Sequence, residues 1–270
     1  MTGQDLSHGS QDLVLRVDIG AVAVLVLNDP AKLNALSTPM LHALASTFHD
    51  LAVDPTVRVV VIRAAGKAFC AGHDLKEIQA ARKAPDAGAA AFQALFDRCA
   101  RVMQQIAALP KPVIAEVQGI ATAAGCQLAA TCDMVVASDQ ARFGVNGVNI
   151  GLFCSTPIVA LSRKIPQSAA FELAATGEFL TATRAQSLGL ANRVTSAEGL
   201  SSETMALAQS LAQKLPAALS IGKAAFAAQT GLPLDQAYAA AGAAMVDNLL
   251  NTATSEGISA FLEKRAPNWA

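Results

Sequence analysis

Two segments of the sequence concentrate residues able to do chemistry. Lys67-Ala68-Phe69-Cys70-Ala71-Gly72-His73-Asp74-Leu75-Lys76 follows one β-branched apolar run, and Gln118-Gly119-Ile120-Ala121-Thr122-Ala123-Ala124-Gly125-Cys126-Gln127-Leu128 follows another. Both put small residues where a strand ends, and small residues let a ligand approach the backbone closely. The second segment runs directly into a helical pattern, whose first turn offers N–H groups without partners and the positive end of a dipole. Two such turns side by side could aim two amide N–H groups at one oxygen atom, which is how an oxyanion hole is built. Ordinary Gly/Ala-rich turn packing is the alternative reading of each segment taken alone.

Other chemistries lose their usual support. There is no G-x-G-x-x-G after a strand, no G-x-x-x-x-G-K-[ST] and no G-x-S-x-G, so dinucleotide, P-loop and nucleophile-elbow readings are set aside. The histidines His8, His42, His49 and His73 have no metal-like partners, and no metal is expected. His42 and His49 lie among polar neighbours and read as part of a solvated helix face. Cys70, Cys99, Cys126, Cys132 and Cys154 are odd in number, with no CxxC pair; they read as reduced intracellular thiols acting as small core residues.

Those segments need a framework. Val22–Leu27, Val57–Arg63, Val113–Val117 and Met134–Ala137 are nearly continuous apolar runs, suited to strands buried on both faces of a parallel sheet. Between them lie helical patterns at Pro39–Leu51, with Ser37 and Thr38 as caps, at Ala89–Leu109 and at Ala123–Thr131. Alternating strand and helix argues for α/β units with right-handed crossovers. After about residue 195 no strand-like run remains. Ser202–Leu215, Pro216–Gln229, Leu234–Asn251 and Ser255–Arg265 read as helices, several apolar on more than one face. Such helices usually pack against more than their own domain. Residues 1–195 are therefore expected to form an α/β core and residues 196–270 a helical, subunit-contacting region.

The whole chain has 270 residues and 27.7 kDa, with 53% hydrophobic and 15% charged residues and a mean hydropathy of +0.38. A spanning helix needs roughly 20 consecutive apolar residues, and every apolar run here is interrupted, so no membrane partner is expected. Twenty Lys and Arg against 21 Asp and Glu leave a formal charge of −1, no footprint for nucleic acid. Residues 1–11 are polar, without an apolar or Arg-rich amphipathic stretch; a cytoplasmic location is expected from them.

Taken jointly the motifs resemble the crotonase, or enoyl-CoA hydratase/isomerase, superfamily. The resemblance runs through Leu27-Asn28-Asp29-Pro30, Lys32-Leu33-Asn34-Ala35-Leu36, Ala71-Gly72-His73-Asp74-Leu75-Lys76, Pro112–Gly119, Cys132-Asp133 and Phe261-Leu262-Glu263-Lys264-Arg265. Ala121–Gln127 and Gly147–Pro157 are most similar to the subgroup of enoyl-CoA hydratase domain-containing protein 3. The resemblance implies an α/β fold with a crotonase-type ββα spiral core, a C-terminal α-helical trimerisation region, and homotrimers that often pair into hexamers. It implies an acyl-CoA thioester as substrate, with coenzyme A part of that substrate and no separate cofactor. The oxyanion donors would be the backbone N–H groups of His73 and Ala124, the latter demanding a conformation that a non-Gly residue tolerates. Lys32, Ala71, His73, Asp74, Leu75, Lys76, Ala124 and Gly125 would contact the substrate or its CoA portion, with Lys76 available to phosphate.

The departures matter as much. Hydratases of this family use two glutamates, and the matching positions hold Gln127 and Gly147. Neither transfers a proton, and a side-chain general acid or base is worth ~10²–10⁴ in rate. The substitutes are few. His73 could act as a base if its ring turns into the cleft, though a ring at such a turn more often points outward. Gln127 could orient a water, and Asn146 and Asn149 could supply neutral hydrogen bonds. Cys126 and Cys154 read as structural thiols, Asp74 as fixing its turn, and Ser155-Thr156-Pro157 as a helix start. The expectation is a protein that polarises a thioester but hydrates poorly, either an enzyme with a non-standard acid/base set or a non-catalytic acyl-CoA-binding homologue. An RNA-binding side function is disfavoured by the charge balance. Restoring both glutamates should raise hydration if the pocket admits them.

Overall fold

The computed structural model describes residues 12–269. Six strands form one sheet in the order β1 (Val14–Ile19), β2 (Val22–Leu27), β3 (Val59–Ala64), β5 (Val113–Val117), β7 (Met134–Ser138) and β10 (Arg193–Thr195). Only β1 runs antiparallel to its neighbour; the rest are parallel. A second sheet orders β4 (Ala68–Cys70), β6 (Ile120–Thr122), β8 (Arg142–Gly144) and β9 (Phe179–Thr181). The helices are α1 (Thr38–Val53), α2 (Leu75–Ala81), α3 (Ala89–Ala108), α4 (Ala124–Thr131), α5 (Ser155–Leu161), α6 (Gln167–Thr176), α7 (Ala182–Leu188), α8 (Leu200–Ala212), α9 (Pro216–Gln229), α10 (Leu234–Leu250) and α11 (Thr252–Leu262).

From β3 onward the chain steps from the first sheet to the second and then into helix, three times in succession. This is the expected ββα spiral. The strands of the first sheet are apolar at every position because each face meets a different core. Ala23, Leu25, Leu27, Val60 and Ile62 pack toward the second sheet and helices α1 and α3. Val22, Val24, Val59 and Val61 pack on the other face, against Leu200, Leu207 and Ala208 of α8. Burial on both faces is what makes a parallel strand read as one continuous apolar run.

Helix α4 starts where β6 ends, and all seven residues Ala124–Ala130 are buried. A helix enclosed all round must be thin-skinned to fit, hence its Ala, Gly and Cys. Gly125 is fixed by this: a Cβ there would stand 2.1 Å from the Cys70 carbonyl oxygen. Helix α1 begins at a Ser37 cap whose hydroxyl accepts from the Met40 N–H at 3.3 Å. In the C-terminal part, α9 and α10 bury no residue within the single chain and α11 buries only Ala260. An apolar groove of about 210 Å³ lies between α9 and α10. The region from residue 196 is helical as expected, and α9 is tied to the core by Lys223, whose ammonium donates to Asp133 Oδ2 at 2.7 Å and to the Ile106 carbonyl at 2.9 Å.

Candidate functional site

The first of the two chemistry-bearing turns is held from behind by residues 29–36. Asn34, fully buried, donates to the Ala65 and Ala68 carbonyls (2.8 and 2.9 Å) and accepts from the Asp29 N–H (2.9 Å). Leu33 and Asn34 both adopt positive φ, near 53° and 54°, a bend that Asn tolerates better than most residues. The bend lets this segment run beside the turn, where Ala71 N–H donates to the Leu33 carbonyl and Leu36 N–H to the Gly72 carbonyl (3.0 and 2.7 Å). Asn34 carried no chemical signal in the sequence, yet it is the residue that aligns this turn.

Asp74 then caps α2, accepting from the N–H groups of Lys76 and Glu77 at 2.8 and 3.4 Å. Burial alone would push its carboxyl up, but those two N–H groups and the Lys32 ammonium, 3.5 Å away, outweigh it and hold Asp74 below the usual aspartate range. Asp74 is thus a structural anion, as expected, and Lys32 is drawn to it. Leu75 and Lys76 are exposed, Ala71 is half-buried, and among the described residues the Lys76 ammonium has no hydrogen-bond or ion-pair partner.

The second turn meets the first directly. Gly72 has a φ of +89°, and a Cβ on it would come within 2.9 Å of Ala123 Cβ, 3.1 Å of the Thr122 carbonyl oxygen and 3.2 Å of the Ala124 nitrogen. The demanding backbone conformation falls one residue earlier than expected. Ala123 has φ 50° and ψ −122°, whereas Ala124 is the first helical residue. The reason is geometric: the chain must reverse from β6 into α4, and the residue before the helix takes the reversal. Ala123 is held there by its own N–H, which donates to the Gly144 carbonyl of β8 at 2.9 Å.

His73 departs from the outward orientation that such a turn usually gives. Its Nδ1 lies 3.2 Å from the Leu36 carbonyl oxygen, and its ring stands edge-on to Phe96 of α3, with centroids 5.7 Å apart. Nε2 is buried and has no hydrogen-bond partner. Burial depresses the imidazole pKa below 6.5, against the opposing effects of the Leu36 carbonyl and the Glu77 carboxylate. Neither Leu36 nor Phe96 announces this role in the sequence.

At the two positions of the missing glutamates, Gln127 is 5% exposed, its Oε1 without a partner. Gly147 is packed tight: a Cβ there would stand 2.4 Å from the Leu152 carbonyl oxygen and 2.7 Å from Cys154 Sγ. The condition set for restoring both carboxylates is therefore not met, because no side chain fits at Gly147 without moving backbone. Thr122 donates to Asn146 Oδ1 at 2.6 Å, tying the second turn to a third, residues 145–154 after β8, and Asn149 reaches the Gly177 carbonyl at 3.5 Å. All five cysteines are buried and free. Burial pushes the Cys126 thiol up to about 12 and raises that of Cys154, despite the Gly147 N–H beside it, so both are neutral, inert thiols. Among the described residues no cluster of three metal-ligating side chains occurs.

The arrangement is therefore two strand-end turns in contact, one bearing a neutral imidazole, with no free carboxylate on either. Comparison with known proteins agrees with this geometry. Residues 19–270 match the family model described as enoyl-CoA hydratase/isomerase. The chain is 43% identical to enoyl-CoA hydratase domain-containing protein 3, mitochondrial, of Danio rerio, over 98% of this chain and 90% of that protein. Among solved structures it is similar to the enoyl-CoA hydratase of Mycobacterium smegmatis (TM-score 0.91, 50% identity, 96% and 99% of the two chains). It is similar also to human enoyl-CoA hydratase domain-containing protein 3 (TM-score 0.90, 42% identity, 95% and 100%). The word mitochondrial in the name of the zebrafish relative overturns the expectation of a cytoplasmic location. That expectation rested on residues 1–11, which lie outside the described residues, beside a reading of the thiols as reduced and intracellular, which does not distinguish one reducing compartment from another.

Proposed function

We infer from one premise, that this chain belongs to the enoyl-CoA hydratase/isomerase family, that its site binds an acyl-CoA thioester, with the carbonyl oxygen between the backbone N–H groups of His73 and Ala124. The observation that carries the reading is the contact of the two turns, close enough that one methyl group on Gly72 would collide with both Ala123 and the Ala124 nitrogen. Backbone donors survive side-chain changes, so His at position 73 and Ala at 124 leave such a hole usable, and one donor is worth ~10²–10³ in rate. The CoA portion would run past Ala71 and Gly125 and along Asp74 and Leu75, with the exposed ammonium of Lys76 pairing with phosphate. Lys32 is a second candidate, in competition with its contact to Asp74. The substrate brings its own coenzyme A, and no further cofactor is invoked.

Residues 1–195 form the acyl-CoA core in this reading, and residues 196–270 cover their apolar faces on other copies of the chain, as a homotrimer or a pair of trimers. The near-neutral charge gives nucleic acid no purchase, and no helix of the described residues is long and apolar enough to cross a membrane. A second reading, an acyl-CoA-binding or regulatory protein without turnover, is favoured by the replacement of both glutamate positions, Gln127 and Gly147.

Calorimetry and thermal shift with acetyl-CoA, acetoacetyl-CoA and a long-chain thioester test the binding. Heat or stabilisation with at least one is expected; none with any of the three refutes it. Hydration of crotonyl-CoA is expected to be weak, since it needs both a base for water and a proton donor for the α-carbon.

A further inference from the structure

We propose that the His73 imidazole is the proton carrier of this site: its Nε2 takes a proton from the carbon next to the thioester carbonyl and returns it. The inference rests on the acyl-CoA reading above and assigns the acid/base role that the missing glutamates leave open.

The first argument is the tautomer. A carbonyl oxygen only accepts, so the 3.2 Å contact with Leu36 requires Nδ1 to carry the proton. Nε2 is then left with a lone pair, and that lone pair is buried with no partner among the described residues. A buried acceptor left unpaired is costly, about 1–3 kcal/mol, and the packing that covers Nε2 must part for a bound acyl group to meet it, at no cost in hydrogen bonds at that atom.

Position is the second argument. The backbone N–H of the same residue is the proposed oxyanion donor. An acyl group whose oxygen is bound there must extend past the side chain of that residue, so a ring turned inward meets the carbons beside the carbonyl. Phe96, edge-on to the ring, fixes its plane.

Elimination is the third. The carboxylates nearest to the turns are engaged elsewhere: Asp74 in capping α2 and facing Lys32, and Glu77 in accepting from the Thr38 N–H at 2.9 Å. Gln127 and Gly147 have no proton to exchange, and the Cys126 and Cys154 thiols are held neutral by burial. Among the described residues of the two turns only His73 offers a free base, and its depressed pKa keeps it in the basic form at neutral pH.

The step balances within the complex. The Nε2 lone pair takes the α-proton, and the electrons of the C–H bond form the Cα=C bond of an enolate whose oxygen carries the charge. The imidazolium then returns a proton, to the same carbon or, in a 3-enoyl thioester, to the carbon at the far end of the conjugated system. One carrier suffices for such a proton transfer, whereas hydration needs two groups at once.

The test uses the full-length protein with a 3-enoyl-CoA thioester in heavy water. Deuterium uptake is read by mass spectrometry and affinity by calorimetry. Wild type should incorporate deuterium, and His73→Ala should lose ~10²–10⁴ of that rate with Kd changed by no more than about threefold. Free imidazole should restore part of it. His73→Gln, which keeps the size and a donor for Leu36, should be as slow as the Ala variant. It is the variant to read if the Ala variant does not fold. Exchange undiminished in either variant, or restored by Gln, overturns the proposal. Wild type that binds the thioester without exchanging also overturns it and leaves the binding reading intact. Absence of binding by wild type overturns the binding reading, and this inference with it.

Discussion

At the scale of residues, the site is defined by what each backbone position can hold. Gly147 is the sharpest case. The clash of any Cβ with the Leu152 carbonyl and Cys154 Sγ means that Gly147→Glu forces the third turn apart. Overpacking of this kind costs roughly 1–3 kcal/mol, and a drop in Tm without any gain in hydration is the expected result. Gln127→Glu is different, because the side chain is already long and already buried. Burial would raise the new carboxyl's pKa, which suits a proton donor, and crotonyl-CoA hydration should rise above wild type by at least about tenfold. An absorbance assay of both variants decides, and equal rates in Gln127→Glu and wild type would refute the assignment of that position. Ala123 presents the opposite problem. Its φ of 50° with ψ of −122° costs an L-residue about 1–3 kcal/mol, while glycine adds about 0.5–1 kcal/mol of chain entropy to be lost on folding. Ala123→Gly should therefore raise the urea midpoint modestly, and a fall would mean that the methyl group contributes packing that exceeds the strain.

At the scale of elements, legibility followed burial. The strands β2, β3, β5 and β7 stand out in the sequence because both faces are covered, α1 because its Ser37 cap, Pro39 and apolar spacing agree with one another, α9 because Pro216 marks its start, and α3 and α4 by their apolar or Ala-rich pattern alone. Edge strand β1 carries no such signal: it is exposed over most of its length and mixes Arg16 and Asp18 with Leu15 and Val17. The three-residue strands β4, β6, β8 and β9 are too short for any periodicity, yet they place both turns of the site. The two turns themselves were legible from their small residues, and Asp74 as a cap from its type. The inward ring of His73 and the reversal at Ala123 were not, because they are set by residues distant in sequence, Leu36 and Phe96 for the first and Gly144 for the second; the closed space at Gly147 was not, because it depends on how the loop just downstream folds back to bring Leu152 and Cys154 against it. The attachment of α9 is of the same kind. Lys223 donates to Asp133 and to the carbonyls of Ile106 and Lys111, with its side chain 12% exposed. Lys223→Met leaves Asp133 and both carbonyls short of a donor. Since hydrogen bonds to a charged group contribute ~1.5–3 kcal/mol, a loss of that order in denaturant unfolding is expected. No change would mean that the bridge is replaced by water.

At the scale of the whole molecule, the unusual hydropathy finds its place in the C-terminal helices. The first 195 residues bury a large core yet leave side chains such as Val53, Ile150 and Phe171 exposed, whereas α9 and α10 bury nothing and, with α11, leave Phe226, Leu234, Met245, Leu250, Phe261 and Leu262 between 60 and 82% exposed. Contiguous apolar surface of more than a few hundred Å² is rare on a monomer, and each such side chain gains about 1.5–3 kcal/mol when fully covered. Charge offers no alternative explanation, since a formal net charge of −1 neither draws a polyelectrolyte partner nor keeps copies apart by repulsion. The helices are therefore expected to meet those of other copies, at three or six times the 27.7 kDa chain mass in light scattering at micromolar concentration. Met245→Glu with Leu249→Glu, placing charge on α10 where the single chain makes no buried contact, should shift the mass toward the monomer without altering the fold seen by circular dichroism. A wild-type protein of monomer mass across that concentration range would contradict the assembly. The Glu variant retaining the wild-type mass would move the interface off this face of α10.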